Sequence, residues 1–240
     1  MSNTSEDYPM RINKYLAHHG YCTRRGADTL IEDRKVFLNG KLAKLGDKVQ
    51  KTDNVEVRNK TQQKFVYLAY NKPRGIVTHG AQGTEKEISD LVKKRDPNLE
   101  VFPVGRLDKN SHGLIILTND GRIVEPLLSP ERTHEKEYKV QVNERLRSDF
   151  VELMTQPIDI NGYLTKPCKV ERIDKNNFRI TLTEGKNHQI KRMCDALGYT
   201  VCDLKRVRIM NVRLGILRPG IYRHIKGPEL DTLLQSLGLK

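Results

Sequence analysis

Apolar residues between positions 10 and 58 recur in short groups separated by turn signals. Ile12, Tyr15 and Leu16 fall at helical spacing and run into His19-Gly20, which predicts a first helix with a glycine stop. Thr23 is suited to cap a second helix, whose apolar face carries Ala27, Leu30 and Ile31. Residues 36–42 place apolar arms on both sides of Asn39-Gly40, a strong short-range hairpin signal. Val49, Val55 and Val57 supply further strand material around the turn-forming Thr52-Asp53-Asn54. The segment reads as helix, helix, small sheet.

The pattern then breaks. Residues 59–64 (NKTQQK) are polar throughout and predict a linker, and residues 1–9 predict a disordered tail. Residues 65–70 predict a buried strand, 71–75 a turn, 76–78 a return to extended chain and 88–94 a short helix. A polar loop at 104–111 leads into an apolar strand that ends in a turn. Residues 138–142 alternate as a strand, and 145–154 carry a helical pattern. A turn at 159–162 precedes two strands, 169–173 and 178–182, paired across a polar turn. Ile190, Met193, Cys194 and Leu197 define a helix stopped by Gly198, and residues 228–237 predict a terminal helix. Strands and helices without a regular βαβ repeat predict an α+β fold on an antiparallel or mixed sheet. The expected division is a tail (1–9), a small domain (10–58), a linker (59–64) and a larger domain (65–240).

Charge narrows the function. The chain carries 43 Lys and Arg against 30 Asp and Glu, a net +13. That balance favours a polyanionic partner, because each neutralised phosphate releases counterions; solubility alone is the other reading. Residues 10–58 hold eleven of these cations against six acids, a net +5. A unit so small hardly encloses a catalytic cleft, so a binding role is expected of it. No apolar run approaches the roughly 20 residues of a membrane span, and the N-terminus lacks a signal pattern. The four cysteines form no CxxC pair. Cys194, Cys202 and His188 make a weak case for a metal site; core thiols in a reducing cytoplasm are expected instead.

The polar loop is where chemistry is expected, with Arg106 and Asp108 two residues apart ahead of a rigid strand. Local physics alone prefers an ordinary turn with Asp108 bonded to backbone. A zinc deaminase is disfavoured, since no H-x-E with P-C-x-x-C occurs.

Longer motifs shift that balance. The run RINKYLAHHGYCTRRGADTLIEDRKVFLNGKLAKLGDKV resembles an S4 RNA-binding domain, and Arg11, Lys14, Arg24, Arg25 and Lys41 match the positions at which such domains meet RNA. GRLDKNSHGLIILTNDG resembles the signature loop of pseudouridine synthases, in the branch that joins an S4 domain to the catalytic domain and modifies ribosomal RNA. NKPRGIV, HEKEYKVQV, EGKNHQIKRMCDALGY and VCDLKRVRIMNVRLG resemble the family's other segments in the expected order. The HEKEY, KPCKV and RVRIMNV segments are most similar to the F type, which acts on large-subunit rRNA.

The resemblance implies that Asp108 is the catalytic carboxylate, Tyr138 a partner of the uracil, and Lys191 the basic residue paired with Asp108. Arg192 is the rival for that pairing and otherwise an RNA contact. Arg106 is implied to fill the space left by an extruded base, and Leu204 to wall the uracil. Lys205, Arg206, Arg208 and Arg213 are expected to form a basic strand facing phosphates. His112 and His188 match no catalytic position and are expected to be structural or RNA-contacting. Implied besides are a monomer that needs no metal or cofactor and takes rRNA, with tRNA open as a substrate. A non-catalytic ribosome-assembly protein is the competing class.

Overall fold

The computed structural model describes residues 8–58 and 64–239. Most of the expected tail and linker lies outside the described residues, as do the side chain of Arg25 and residue 240.

In the N-terminal unit, helices α1 (Ile12–His18) and α2 (Arg24–Glu32) pack over short strands. Thr23 caps α2 as expected, its Oγ1 accepting from the Gly26 N–H at 3.1 Å. Strands β1 (Met10–Arg11) and β4 (Lys48–Val49) pair antiparallel. Strands β2 (Val36–Leu38) and β3 (Lys41–Leu42) form the hairpin, and β5 (Val55–Val57) pairs with β2. Asn39 and Gly40 both take positive φ, 51° and 77°, which is what a two-residue turn of this hand requires. Ile12, Leu16, Ala27, Ile31 and Val36 make the core of this unit.

The larger unit is built on one nine-stranded sheet. In chain order its elements are β6 (Tyr67–Lys72), α3 (Ile88–Arg95), β7 (Phe102–Val104), β8 (His112–Thr118), α4 (Val124–Leu128) and β9 (Lys136–Val142). They continue with α5 (Phe150–Thr155), β10 (Lys169–Arg172), β11 (Asn177–Leu182), α6 (Gln189–Ala196), β12 (Val201–Ile209), β13 (Val212–Arg213), β14 (Tyr222–His224) and α7 (Gly227–Ser236). The strand order is β10-β11-β9-β12-β8-β6-β14, with β13 beside β12 and β7 beside β8. Only β12 and β8 run parallel, so the sheet is mixed.

β8 lies at the centre and is covered on both faces. Leu114 and Ile116 pack towards α4 and α7, whereas Ile115 and Leu117 pack towards α3. That double burial explains its unbroken apolar run. Beside it, Val140, Phe178 and Met193 pack with Phe150 of α5 in a second core over β9 and β11.

Two expectations need correction. The turn expected at 71–75 starts later, because Asn71 and Lys72 extend β6 opposite Leu114 and Gly113. The helical pattern at 145–154 yields a helix only from Phe150, since the Leu146 N–H is taken by the Lys175 carbonyl at 2.8 Å. Strand β7 and helix α4 were not anticipated.

Candidate active site

The loop before β8 is pinned from beneath. Lys72 is fully buried, and its ammonium donates to the carbonyls of Ser111 (2.7 Å), Asp108 (3.0 Å), Pro73 (3.1 Å) and Lys109 (3.2 Å). Burial pushes its pKa down to about 8, against the pull of Asp108 and with the push of Arg206. The buried hydroxyl of Thr78 donates to the Leu107 carbonyl at 2.7 Å and accepts from the Leu107 N–H at 3.0 Å. Arg206 donates from Nε to the Leu114 carbonyl at 2.7 Å and from a terminal nitrogen to the Arg106 carbonyl at 3.4 Å. Gly113 lets β8 and β12 approach: a Cβ there would sit 2.2 Å from the Arg206 carbonyl oxygen, and its φ is +102°.

Asp108 stands on this fixed loop, its side chain about one-third exposed. Lys191 Nζ lies 3.3 Å from one carboxylate oxygen and His188 Nε2 lies 3.4 Å from the other. The Ser111 hydroxyl is 3.4 Å from the first. Lys191 therefore holds the place expected of it. Arg192, one residue on, turns away, and its guanidinium donates to the Ile160 and Asn187 carbonyls.

The turn that presents His188 and α6 is itself anchored. Glu184 is buried and accepts from the Tyr163 hydroxyl (2.7 Å), the Gln189 amide (2.7 Å) and the Lys166 N–H (3.0 Å). Burial pushes this carboxyl up, but those donors outweigh it and hold it below its ordinary value. His188 ends the turn in the left-handed region, φ 51°, an uncommon conformation for a side-chain-bearing residue.

Asp108, Tyr138, Leu204 and Ile190 line one cleft of about 800 Å³, within the usual range of ligand sites. Arg106 is exposed and also lines it. Exposed Arg11, Lys14, Arg24 and Lys41 lie on the N-terminal unit.

The expected basic strand is corrected at Arg206 and Arg208, whereas Lys205 is half-buried and Arg213 exposed. A bulge in β12 sets Arg206 opposite Tyr138 but Arg208 opposite Glu137, so two residues apart they part company. Arg206 is 4% exposed, held by carbonyls beneath the cleft rather than free for phosphate. Arg208 is spent on Glu135 (3.0 Å) and Glu137 (2.9 Å). Among the described residues no group of three or more His, Cys, Asp or Glu is placed to hold a metal ion, and no helix is long and apolar enough to cross a membrane. Reading the motifs missed Lys72, Thr78 and Glu184 as supports and His188 as a neighbour of Asp108. For the last two, the one signal available was that Glu184 and His188 lie in the same motif as Lys191, EGKNHQIKRMCDALGY.

Comparison with known proteins places the chain. The RNA pseudouridylate synthase family matches residues 66–196, and the S4 domain matches residues 10–55. The dual-specificity RNA pseudouridine synthase RluF of Escherichia coli (strain K12) is 43% identical over 236 residues, which is 96% of this chain and 80% of that protein. An uncharacterized RNA pseudouridine synthase, YtzG, of Bacillus subtilis (strain 168) is 36% identical over 93% of this chain and 98% of its own. A crystal structure of a pseudouridylate synthase superposes with a TM-score of 0.69 at 29% identity, covering 93% of this chain and 99% of that one. An S4 domain followed by a mixed-sheet catalytic domain places this chain in the RNA pseudouridine synthase family. It is an isomerase acting on RNA and resembles RluF.

Proposed function

We propose that the chain converts a specific uridine of large-subunit ribosomal RNA to pseudouridine, with Asp108 as its catalytic carboxylate. The observation that carries this reading is a carboxylate on a backbone loop fixed by Lys72, Thr78 and Arg206, flanked by Lys191 and sharing a cleft with Tyr138 and Leu204.

The uridine is extruded from its stack at a cost of a few kcal/mol. Arg106, exposed at the cleft, takes the vacated space and bonds neighbouring bases through a flat guanidinium. Asp108 then supplies the negative charge that the electron-poor C1′ needs as the N1–C1′ bond breaks. The uracil turns in place against Leu204 and C5 bonds to C1′; the Tyr138 hydroxyl relays the C5 proton, accepting it as it gives up its own, and a proton returns to N1, the atom freed when the N1–C1′ bond broke. One carboxylate suffices because the base never leaves. Glu184 also reaches the cleft, but its oxygens are occupied by three donors, which leaves it unsuited to be a second acid.

The exposed cations of the N-terminal unit, Arg11, Lys14, Arg24 and Lys41, bind RNA backbone. Dual specificity in the Escherichia coli relative favours a second substrate, read here as a tRNA uridine. The enzyme is read as a monomer that needs no cofactor.

A pseudouridine map of rRNA and tRNA from cells with and without the gene tests the substrate. Loss of one large-subunit position, restored by the wild-type chain, is expected. An unchanged large-subunit map would refute it.

A further inference from the structure

The cleft of about 800 Å³ has more room than one base fills, and its lining extends beyond the surroundings of Asp108 to Val104, Leu127, Leu128 and Ile209. Val104, Leu127 and Ile209 are buried behind this part of the cleft, and Leu128 presents its accessible apolar wall. Leu128 is 41% exposed, and the wall it forms is tied to the catalytic loop: a Cβ on Gly105 would lie 3.0 Å from its Cδ2.

Lys136 stands between the two parts. It lines the cleft two residues before Tyr138 on β9, hence on the same strand face and about 7 Å away along it. In register it pairs with Ile209, the apolar end, whereas Tyr138 pairs with Arg206. Burial, and then the nearby Arg206, lowers its pKa from the ordinary value. Among the described residues its ammonium reaches a single acceptor, the His134 carbonyl at a long 3.5 Å. Arg206 is bonded only to carbonyls. Among the described residues, two cations thus share this part of the cleft floor with no carboxylate paired to either. Such an arrangement is unfavourable until an anion arrives.

We propose that this second compartment holds the base of an unpaired nucleotide adjacent to the target uridine, with Lys136 binding the phosphate between them. The proposal rests on the reading that the target occupies the Asp108 end. The exposed Leu128 wall offers contact area without hydrogen-bonding edges, so it does not select one base by its edge. Target choice then depends on an unpaired neighbour as well as on the uridine itself.

The test is single-turnover pseudouridine formation and RNA binding by the full chain. RNA transcripts would carry an abasic residue on either side of the target, or a neutral methylphosphonate at either adjoining linkage. Conversion of the intact RNA by the wild-type chain comes first; its absence would count against the proposed function, not against the second compartment. One abasic position is expected to weaken binding about 5- to 150-fold, with the loss of one stacked base as the upper guide. That penalty should shrink in Leu128→Ala. The methylphosphonate penalty should vanish in Lys136→Met, which keeps the aliphatic stem. Equal penalties in wild type and variants, or none at either neighbour, would overturn the compartment. If Lys136→Met fails to fold, Leu128→Ala alone still decides, because its side chain is partly exposed.

Discussion

Single residues set the precision of this site. Gly113 is where β8 and β12 meet at closest approach, so Gly113→Ala forces a carbon against the Arg206 backbone at a positive φ. A loss of roughly 2–5 kcal/mol follows from the clash and the strain together. Thermal melting checks it, and an unchanged midpoint would refute the close approach. Lys72 gives a pH signature. Its folded pKa, about 8, lies below the ordinary 10.5 because of burial, so the native state releases this proton before the unfolded chain does. The charged form therefore opposes folding below pH 8, and that opposition fades between 8 and 10.5. The loop that carries Asp108 behaves the other way, since deprotonation weakens the bonds to four carbonyls. The single-turnover rate should fall as pH rises through about 8. Lys72→Met should lack that alkaline limb while running roughly 10- to 100-fold slower at neutral pH. A limb that persists in Lys72→Met would assign it elsewhere. Asp108, Lys191, Tyr138 and Leu204 were singled out because the motif resemblance assigns each a role. Lys72 and Glu184 lie inside quoted motifs too, in NKPRGIV and EGKNHQ, but their value lies in bonds to carbonyls, an amide and a hydroxyl elsewhere in the fold, which no local pattern displays.

At the scale of elements, punctuation was the reliable guide. Thr23, Asn39-Gly40 and Gly198 each sit where caps and turns demand them, and the structure uses all three. Thr23→Ala should cost about 1 kcal/mol, lowering the melting of the N-terminal unit without altering the rate at saturating RNA. Equal melting curves would show that the cap is idle. Where sequence reading failed, a tertiary event intervened. Alternation in β12 puts Arg206 and Arg208 on one face, yet the bulge sends them to opposite faces, one to a carbonyl cage and one to two glutamates. Pro103 inside a three-residue strand hid β7, and the helical pattern from Arg145 was shortened by backbone bonds to the β10–β11 turn.

At the scale of the molecule, the net charge of +13 is spread over the chain, with +5 of it in residues 10–58, so RNA contact is expected of both units. Replacing Arg11, Lys14, Arg24 and Lys41 together with Gln should reduce the salt slope of RNA binding by up to about 3, near 0.7 for each single-strand phosphate that is no longer neutralised. The rate at saturating RNA should hold. An unchanged slope would remove RNA binding from the N-terminal unit. Net charge alone pointed to a polyanion but did not separate a binder from an enzyme. What separates them is the match to the RNA pseudouridine synthase family, with Asp108 the proposed carrier of its chemistry. The most direct measurement is pseudouridine formation by Asp108→Asn, read by carbodiimide labelling and primer extension on rRNA, with RNA affinity measured in parallel. Retained affinity with no product is predicted; product formed at the wild-type rate would contradict the central role of Asp108.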